Sequence, residues 1–180
     1  MDEIITRWIN APAGQNAVFD AIIIALTRYG VPFVVLCVAL QWWGQRDRPH
    51  LRHACVAAGL SFLIGLAFNQ LLLLFVHRVR PYDSGVTHLI IARSADWSFP
   101  SDHATAAFAV AVAFALQRLP RRASLFALAA VLIAWSRVFV GTHYLTDVLG
   151  GAATGIVAAL LVRAAYREDT RLDRFATSIL

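Results

Sequence analysis

The sequence predicts an all-α integral membrane helical bundle of five transmembrane helices, with an N-terminal interfacial helix. Three observations carry the prediction. Hydrophobic residues fill 59% of the 180 positions and charged residues only 15%, against about 25% charged in soluble domains. The apolar residues fall in runs near the ~20 residues that a bilayer-crossing helix needs. The charges gather between those runs and, Arg28 apart, leave their middles clear. A water-soluble chain of this size has too little interior to bury so much apolar surface.

Taken in order, residues 1–15 are too interrupted to cross: Asp2, Glu3, Arg7, Asn10 and Gln15 alternate with Ile4, Ile5, Trp8 and Ile9. They read as an amphipathic interfacial helix ended by Pro12 and Gly14. Residues 16–43 form a long apolar stretch with Arg28, Gly30 and Pro32 in its middle. One kinked span from Asp20 to the interfacial pair Trp42 and Trp43 is the preferred reading; if the stretch divides, the bundle has six helices. Further spans are expected over residues 54–76, 102–116, 124–140 and 144–165. The whole chain, 1–180, reads as a single membrane domain, with a core at 16–166 and a cytoplasmic tail at 167–180. No repeat, low-complexity tract or cleavable signal peptide is expected.

All sixteen basic residues are arginine. They sit in short clusters between spans, as loop arginines that orient a membrane protein do, so nucleic acid is not an expected partner. With five spans, one side of the membrane receives Arg46, Arg48, Arg52, Arg118, Arg121, Arg122, Arg163, Arg167, Arg171 and Arg174. The other receives Arg7, Arg78, Arg80, Arg93 and Arg137, with Arg28 ambiguous. The positive-inside bias makes the first set cytoplasmic and turns the loops at 77–101 and 136–143 outward. Cys37 and Cys55 lie in or beside apolar runs and read as small hydrophobes.

Nearly all the chemistry lies in those two outward loops. His143 and Asp147 are four apart at the start of a helix and share one face. A carboxylate there fixes the imidazole's tautomer and favours the cation formed after attack, which a nucleophilic or basic histidine needs; a plain helix-opening hydrogen bond is the simpler reading of the pair alone. Arg80 and Arg137 bring to the same side guanidinium forks suited to phosphate oxygens; topology alone would also account for either one. Pro100, Ser101, Asp102 and His103 open the third span, where free backbone N–H groups make an anion site. Ser101 adds a hydroxyl, with Ser98 a competing N-cap, and His103 is placed to protonate a leaving oxygen. Together these are the parts of in-line phosphoryl transfer, which is mostly positioning and charge stabilisation.

The sequence here resembles the type 2 phosphatidic acid phosphatase superfamily. Its signature is a lysine with Arg-Pro seven residues on, then Pro-Ser-Gly-His, then Ser-Arg, five residues, His, three residues, Asp. Ser136, Arg137, His143 and Asp147 match the third part in full. Pro100, Ser101 and His103 match the second, with Asp102 in place of glycine. Arg80-Pro81 keeps the first, but Leu73 stands where lysine is expected, leaving Arg78 or His77 to substitute. The Phe-Pro-Ser-Asp-His-Ala-Thr run and the short length resemble bacterial undecaprenyl-diphosphatases of that superfamily. The resemblance implies metal-independent hydrolysis without a cofactor, through a phosphohistidine. By it, His143 is the nucleophile, Asp147 its orienting partner and His103 the leaving-group acid, while Arg80, Ser101 and Arg137, with Arg78, bind the substrate phosphate.

The leading reading is therefore hydrolysis of a polyprenyl diphosphate, undecaprenyl diphosphate, at the outer face of a bacterial inner membrane. A phosphatase for glycerolipid phosphates such as phosphatidic acid or phosphatidylglycerol phosphate is the enzymatic alternative. A small transporter is the other class, with Asn69 and Gln70 as its main mid-span polar residues, though these also suit helix–helix contacts. A metal hydrolase using His103, His143 and Asp147 is a third. His88, Arg93, Asp96 and Trp97 read as a solvated loop, and His50 and His53, on the opposite face, receive no role.

Overall fold

The computed structural model describes residues 1–44 and 47–178; Arg46, counted above with the cytoplasmic arginines, lies outside them. The described chain is all-helical, with α1 (Asp2–Asn10), α2 (Ala17–Leu40) followed by a 3-10 turn (Gln41–Trp43), α3 (Arg48–Leu73), α4 (Asp102–Leu116), α5 (Pro120–Phe139), α6 (Leu145–Ala165) and α7 (Arg171–Thr177). Helices α2, α3, α5 and α6 are each long and apolar enough to cross a membrane. Their outward faces are apolar: Phe33, Leu63, Leu128 and Leu160 are all exposed, as lipid-facing side chains are. The stretch 16–43 forms one continuous helix through Pro32, so it does not divide.

Helix α4 is the fifth expected span and differs from the rest. Its 15 residues reach roughly 22 Å at 1.5 Å per residue, short of the ~30 Å hydrocarbon core. It tolerates this because it is wrapped by α3, α5 and α6. Ala104, Thr105, Ala106, Ala107, Ala109 and Val110 are all buried, and small side chains let the neighbouring backbones come close. The closest approach is to α6. A Cβ at Gly151 would lie 2.4 Å from the Ser101 carbonyl oxygen, and one at Gly155 2.5 Å from that of Thr105. These two glycines, four apart on one face, bring the start of α6 against the start of α4, where the Ser101 N–H donates to the Asp147 carbonyl (3.0 Å). Asn69 of α3 ties the same helices together. Its amide donates to Asp102 Oδ1 (2.7 Å) and Thr105 Oγ1 (2.8 Å) and accepts from Thr154 Oγ1 (3.0 Å), so it is the helix–helix contact its position suggested, while Gln70 is exposed.

The second span starts at Arg48, not Ala54, because Pro49 sits in its first turn, where a missing N–H costs nothing. The amphipathic segment forms α1 as expected, with its polar stripe turned toward the protein. Asp2, Thr6 and Asn10, spaced by four, bond respectively to Arg78 and Thr146, to the Leu145 N–H, and to the His88 and Phe139 carbonyls. Ile4 and Trp8 face out, 70% and 77% exposed.

Among the described residues, segments from the two arginine sets gather at opposite ends, as the span order required. His50 meets Glu168, Arg52 meets the Thr177 carbonyl and His53 meets Asp173, which gathers residues 48–53 and 166–178 at one end. The loops carrying Arg78, Arg80, Arg137 and His143 meet at the other, with α1.

Candidate active site

The site at this second end is assembled from three chain segments. The turn after α5 holds Gly141 with φ +86°, and a Cβ there would lie 2.6 Å from the His88 carbonyl oxygen. This sharp turn delivers His143 to the interior just before α6, where it is 3% exposed. Its Nδ1 lies 2.8 Å from the Ser98 carbonyl oxygen. A carbonyl only accepts, so Nδ1 carries the proton and, in the neutral ring, Nε2 keeps its lone pair. That lone pair lies 3.4 Å from a terminal nitrogen of Arg80.

Asp147 stands behind the ring. Its Oδ2 is 3.6 Å from His143 Nδ1, too long for a hydrogen bond. It is instead the hub of the shell that holds the ring: Oδ2 accepts from Ser98 Oγ (2.5 Å) and the Tyr144 N–H (2.8 Å), and Oδ1 from Arg78 (2.6 Å). Ser98 thus touches the carboxylate with its hydroxyl and the imidazole with its carbonyl. The expectation of Ser98 as a helix cap is corrected: Ser101 occupies the N-cap of α4, and Ser98 is spent on Asp147 and His143.

Arg78 was expected to replace the missing lysine at the phosphate. Its guanidinium is committed elsewhere, to Asp147 and Thr146 through one terminal nitrogen and to Asp2 through the other, all at 2.6 Å. It also stacks over the Tyr144 ring, 3.9 Å from its centroid. Burial alone would weaken its charge, but the two carboxylates hold its pKa above the ordinary arginine value. His77 is exposed and packs on Trp97 (centroids 5.1 Å).

Arg80 is 5% exposed and fixed on both sides. It donates to the Asp96 carbonyl (3.0 Å), Asp96 Oδ1 (2.8 Å) and the Thr142 carbonyl (2.9 Å). Asp96, read from sequence as a solvated loop residue, is therefore what orients this guanidinium. Burial pushes its carboxyl up, yet Ser94 and Arg80 together hold it below the ordinary carboxylate value.

Arg137 and Ser101 behave differently from every group above. Arg137 is 8% exposed and its Nε is buried without a partner; Ser101 is fully buried and its Oγ is likewise unpaired. Buried donors are nearly always satisfied, so these two at the head of α4 are donors free to take an anionic oxygen. His103 and Arg137 line a cavity of about 520 Å³ that continues between Ile24, Ile90 and Ile91. Around His143 the balance of charge is positive. Burial pushes its pKa down to about 4, Asp147 pulls the other way, and Arg137 and Arg80 add to the depression. The ring is neutral at pH 7. Among the described residues no three His, Cys, Asp or Glu side chains form a metal-ligating group.

An apolar bundle with unpaired, buried donors beside a neutral imidazole has the parts of a membrane phosphatase. Comparison with known proteins makes the class particular: the description "PAP2 superfamily" matches residues 20–171, and the chain belongs to that family of lipid phosphatases. It is 32% identical over 165 residues to undecaprenyl-diphosphatase BcrC of Bacillus subtilis, covering 89% of this chain and 82% of that protein. It is 35% identical over 127 residues to a putative undecaprenyl-diphosphatase, YbjG, of Escherichia coli, covering 70% and 62%. Among solved structures, a transmembrane PAP2-type phosphatidylglycerolphosphate phosphatase from Bacillus subtilis superposes with a TM-score of 0.68 at 24% identity, over 94% of this chain and 86% of that one. The enzyme class and helical membrane fold expected from the motifs hold.

Proposed function

We propose that this protein hydrolyses undecaprenyl diphosphate to undecaprenyl phosphate and inorganic phosphate at the outer face of a bacterial inner membrane. The observation that carries the reading is the conjunction at His143: a neutral imidazole with its lone pair on Nε2, next to Arg80 and to two buried donors without partners. The named relatives support the diphosphate as substrate.

His143 Nε2 attacks the terminal phosphorus, and the bond from that phosphorus to the bridging oxygen breaks. His103 takes up a proton as the anionic substrate offsets the neighbouring arginines and donates it to the departing oxygen, releasing the lipid monophosphate. The N–P bond of the phosphohistidine is then cleaved by water, whose proton returns to His103, freeing phosphate and restoring both rings. Arg80, Arg137 and Ser101 hold the oxygens of the transferring group, where fixed donors stabilise charge without reorganising. Asp147 and Ser98 hold the imidazole as its charge develops. Arg78 acts through Asp147 and not on phosphate, so the absent lysine at Leu73 is not replaced by it.

Hydrolysis of glycerolipid phosphates is the second reading, favoured by a 32% identity over 117 residues to phosphatidylglycerophosphatase B of Bacillus subtilis. The test is phosphate release by the purified protein in detergent with EDTA present, from undecaprenyl diphosphate and from phosphatidic acid, alongside His143→Ala. Release from the prenyl diphosphate that vanishes in the variant is the expected result. Preference for phosphatidic acid would move the substrate to glycerolipids, and activity surviving without His143 would overturn the mechanism.

A further inference from the structure

Arg28 is an arginine that neither the motifs nor the mechanism uses. It lies mid-way along α2, a helix otherwise apolar on its exposed faces, and it is exposed. Among the described residues no carboxylate pairs with it; its recorded contact is with the neighbouring Tyr29 ring at 5.7 Å. A charge within a membrane span is costly and is retained where it has a partner or a task.

Its position supplies the task. Thr27 Oγ1 donates to Ser136 Oγ (2.7 Å), which fixes α2 against α5 at this level and makes Arg28 and Arg137 the next residues on the two facing helices. Arg28 and Arg137 both line the same 520 Å³ cavity, together with His103. The rest of the lining is largely apolar, with Ile24, Ile90, Ile91 and Ala92. The cavity therefore has a cationic end at the site, a second cation beside it and apolar walls. That is the shape of an amphiphile with two adjacent anionic groups, and its volume is in the range of ligand sites.

Resting on the proposed phosphatase reading, we propose that Arg28 binds the second, lipid-proximal phosphate of a diphosphate substrate and so sets the preference for diphosphates over monophosphates. While the terminal phosphate is held by Arg80, Arg137 and Ser101, the phosphate that remains with the lipid lies against Arg28. A monophosphate presents nothing to it.

The experiment compares wild type, Arg28→Gln and Arg28→Lys on two substrates with one tail, farnesyl diphosphate and farnesyl monophosphate. Arg28→Gln is expected to lower kcat/KM for the diphosphate roughly ten- to hundredfold, the scale of one charge-assisted hydrogen bond, and to change the monophosphate less than about threefold. Arg28→Lys recovers part of the loss, since it keeps the charge and loses the fork. An equal fall on both substrates would mean that Arg28 only anchors the helix to bilayer headgroups, and no fall on either would mean that it touches no substrate; each overturns the proposal. Wild-type preference for phosphatidic acid over any prenyl substrate would instead overturn the functional reading. The Arg28 test then stands separately, on diacylglycerol diphosphate against phosphatidic acid.

Discussion

The molecule carries a buried histidine–aspartate pair at each end, and only one of them is surrounded by unmet chemistry. At the end that carries α7, His53 Nδ1 meets Asp173 Oδ1 at 2.7 Å, its Nε2 takes a hydrogen bond from Gln117 (3.2 Å) and its ring stacks on Tyr166, whose hydroxyl donates to Asp173 (2.5 Å). Every donor there has an acceptor. At the end that carries α1 the histidine–aspartate distance is longer, 3.6 Å, and Arg137 Nε and Ser101 Oγ are left over. By the pair alone, His53 has the better triad geometry. A tight pair in a saturated environment stabilises the fold, whereas a looser pair among orphaned donors is prepared for a ligand. The distinction lies in what the neighbours leave unsatisfied.

The sharpest way to break this comparison is to truncate both histidines. His143→Ala is expected to lower phosphate release at least ~10³-fold with a normal melting profile, as loss of a nucleophile does. His53→Ala is expected to keep turnover per folded molecule near wild type and to cost about 2–4 kcal/mol of stability, from a lost buried hydrogen bond and the void behind it. Loss of turnover in folded His53→Ala would erase the difference. Next in size are the carboxylates. Asp147→Asn should reduce kcat roughly 10²–10³-fold, because it weakens the contacts to Ser98 and Arg78 that fix the imidazole. Asp173→Asn should move the thermal midpoint and leave kcat alone.

Protonation sharpens the comparison without a substitution. His143, pushed to about 4 by burial and by Arg137 and Arg80, is neutral across the physiological range and gains a proton only as pH falls through that value. Nε2 is then blocked, so activity that depends on it is present above pH ~4 and lost below. A histidine NMR titration in detergent, with the resonance assigned by its disappearance in His143→Gln, reads this directly. A midpoint near the ordinary 6.5 would show that the ring is neither dry nor crowded by guanidiniums.

Much of this was legible in the sequence. Five apolar runs predicted the five helices of the bundle core, and arginine placement sorted the two ends, because both signals are local in the chain. His143, Asp147, His103, Arg137, Arg80 and Ser101 were nominated from motifs, and all fall at one end. Ser98 and Asp96 were missed as partners of His143 and Arg80, since those bonds run through backbone carbonyls or join loop positions of no fixed spacing. The four-residue interval of Gly151 and Gly155 was a readable sign of close helix packing. So was the interval of Asp2, Thr6 and Asn10, but amphipathicity says only that two faces differ. With lipid on one side and a polar protein surface on the other, the polar stripe turns inward.

That inward stripe supplies the smallest effect and the most specific one. Asp2 shares Arg78 with Asp147, so α1 reaches the imidazole through a chain of Asp2, Arg78, Asp147 and the Ser98 that both carboxylate and ring touch. Burial raises the Asp2 carboxyl, but hydrogen bonds from Thr146 and Arg78 hold it below its ordinary value, so it is charged at neutral pH. Asp2→Asn frees one side of the Arg78 fork without touching substrate. It should lower kcat about three- to tenfold, since partly exposed charge-assisted bonds are individually modest, and leave KM unchanged because no phosphate contact is lost. Asn10→Ala cuts the same helix from the His88 and Phe139 carbonyls and should loosen α1 while keeping Arg78 in place. If the two substitutions reduce kcat equally, α1 acts as packing. A fall confined to Asp2→Asn, restored by Asp2→Glu, makes the helix a positioning element for His143.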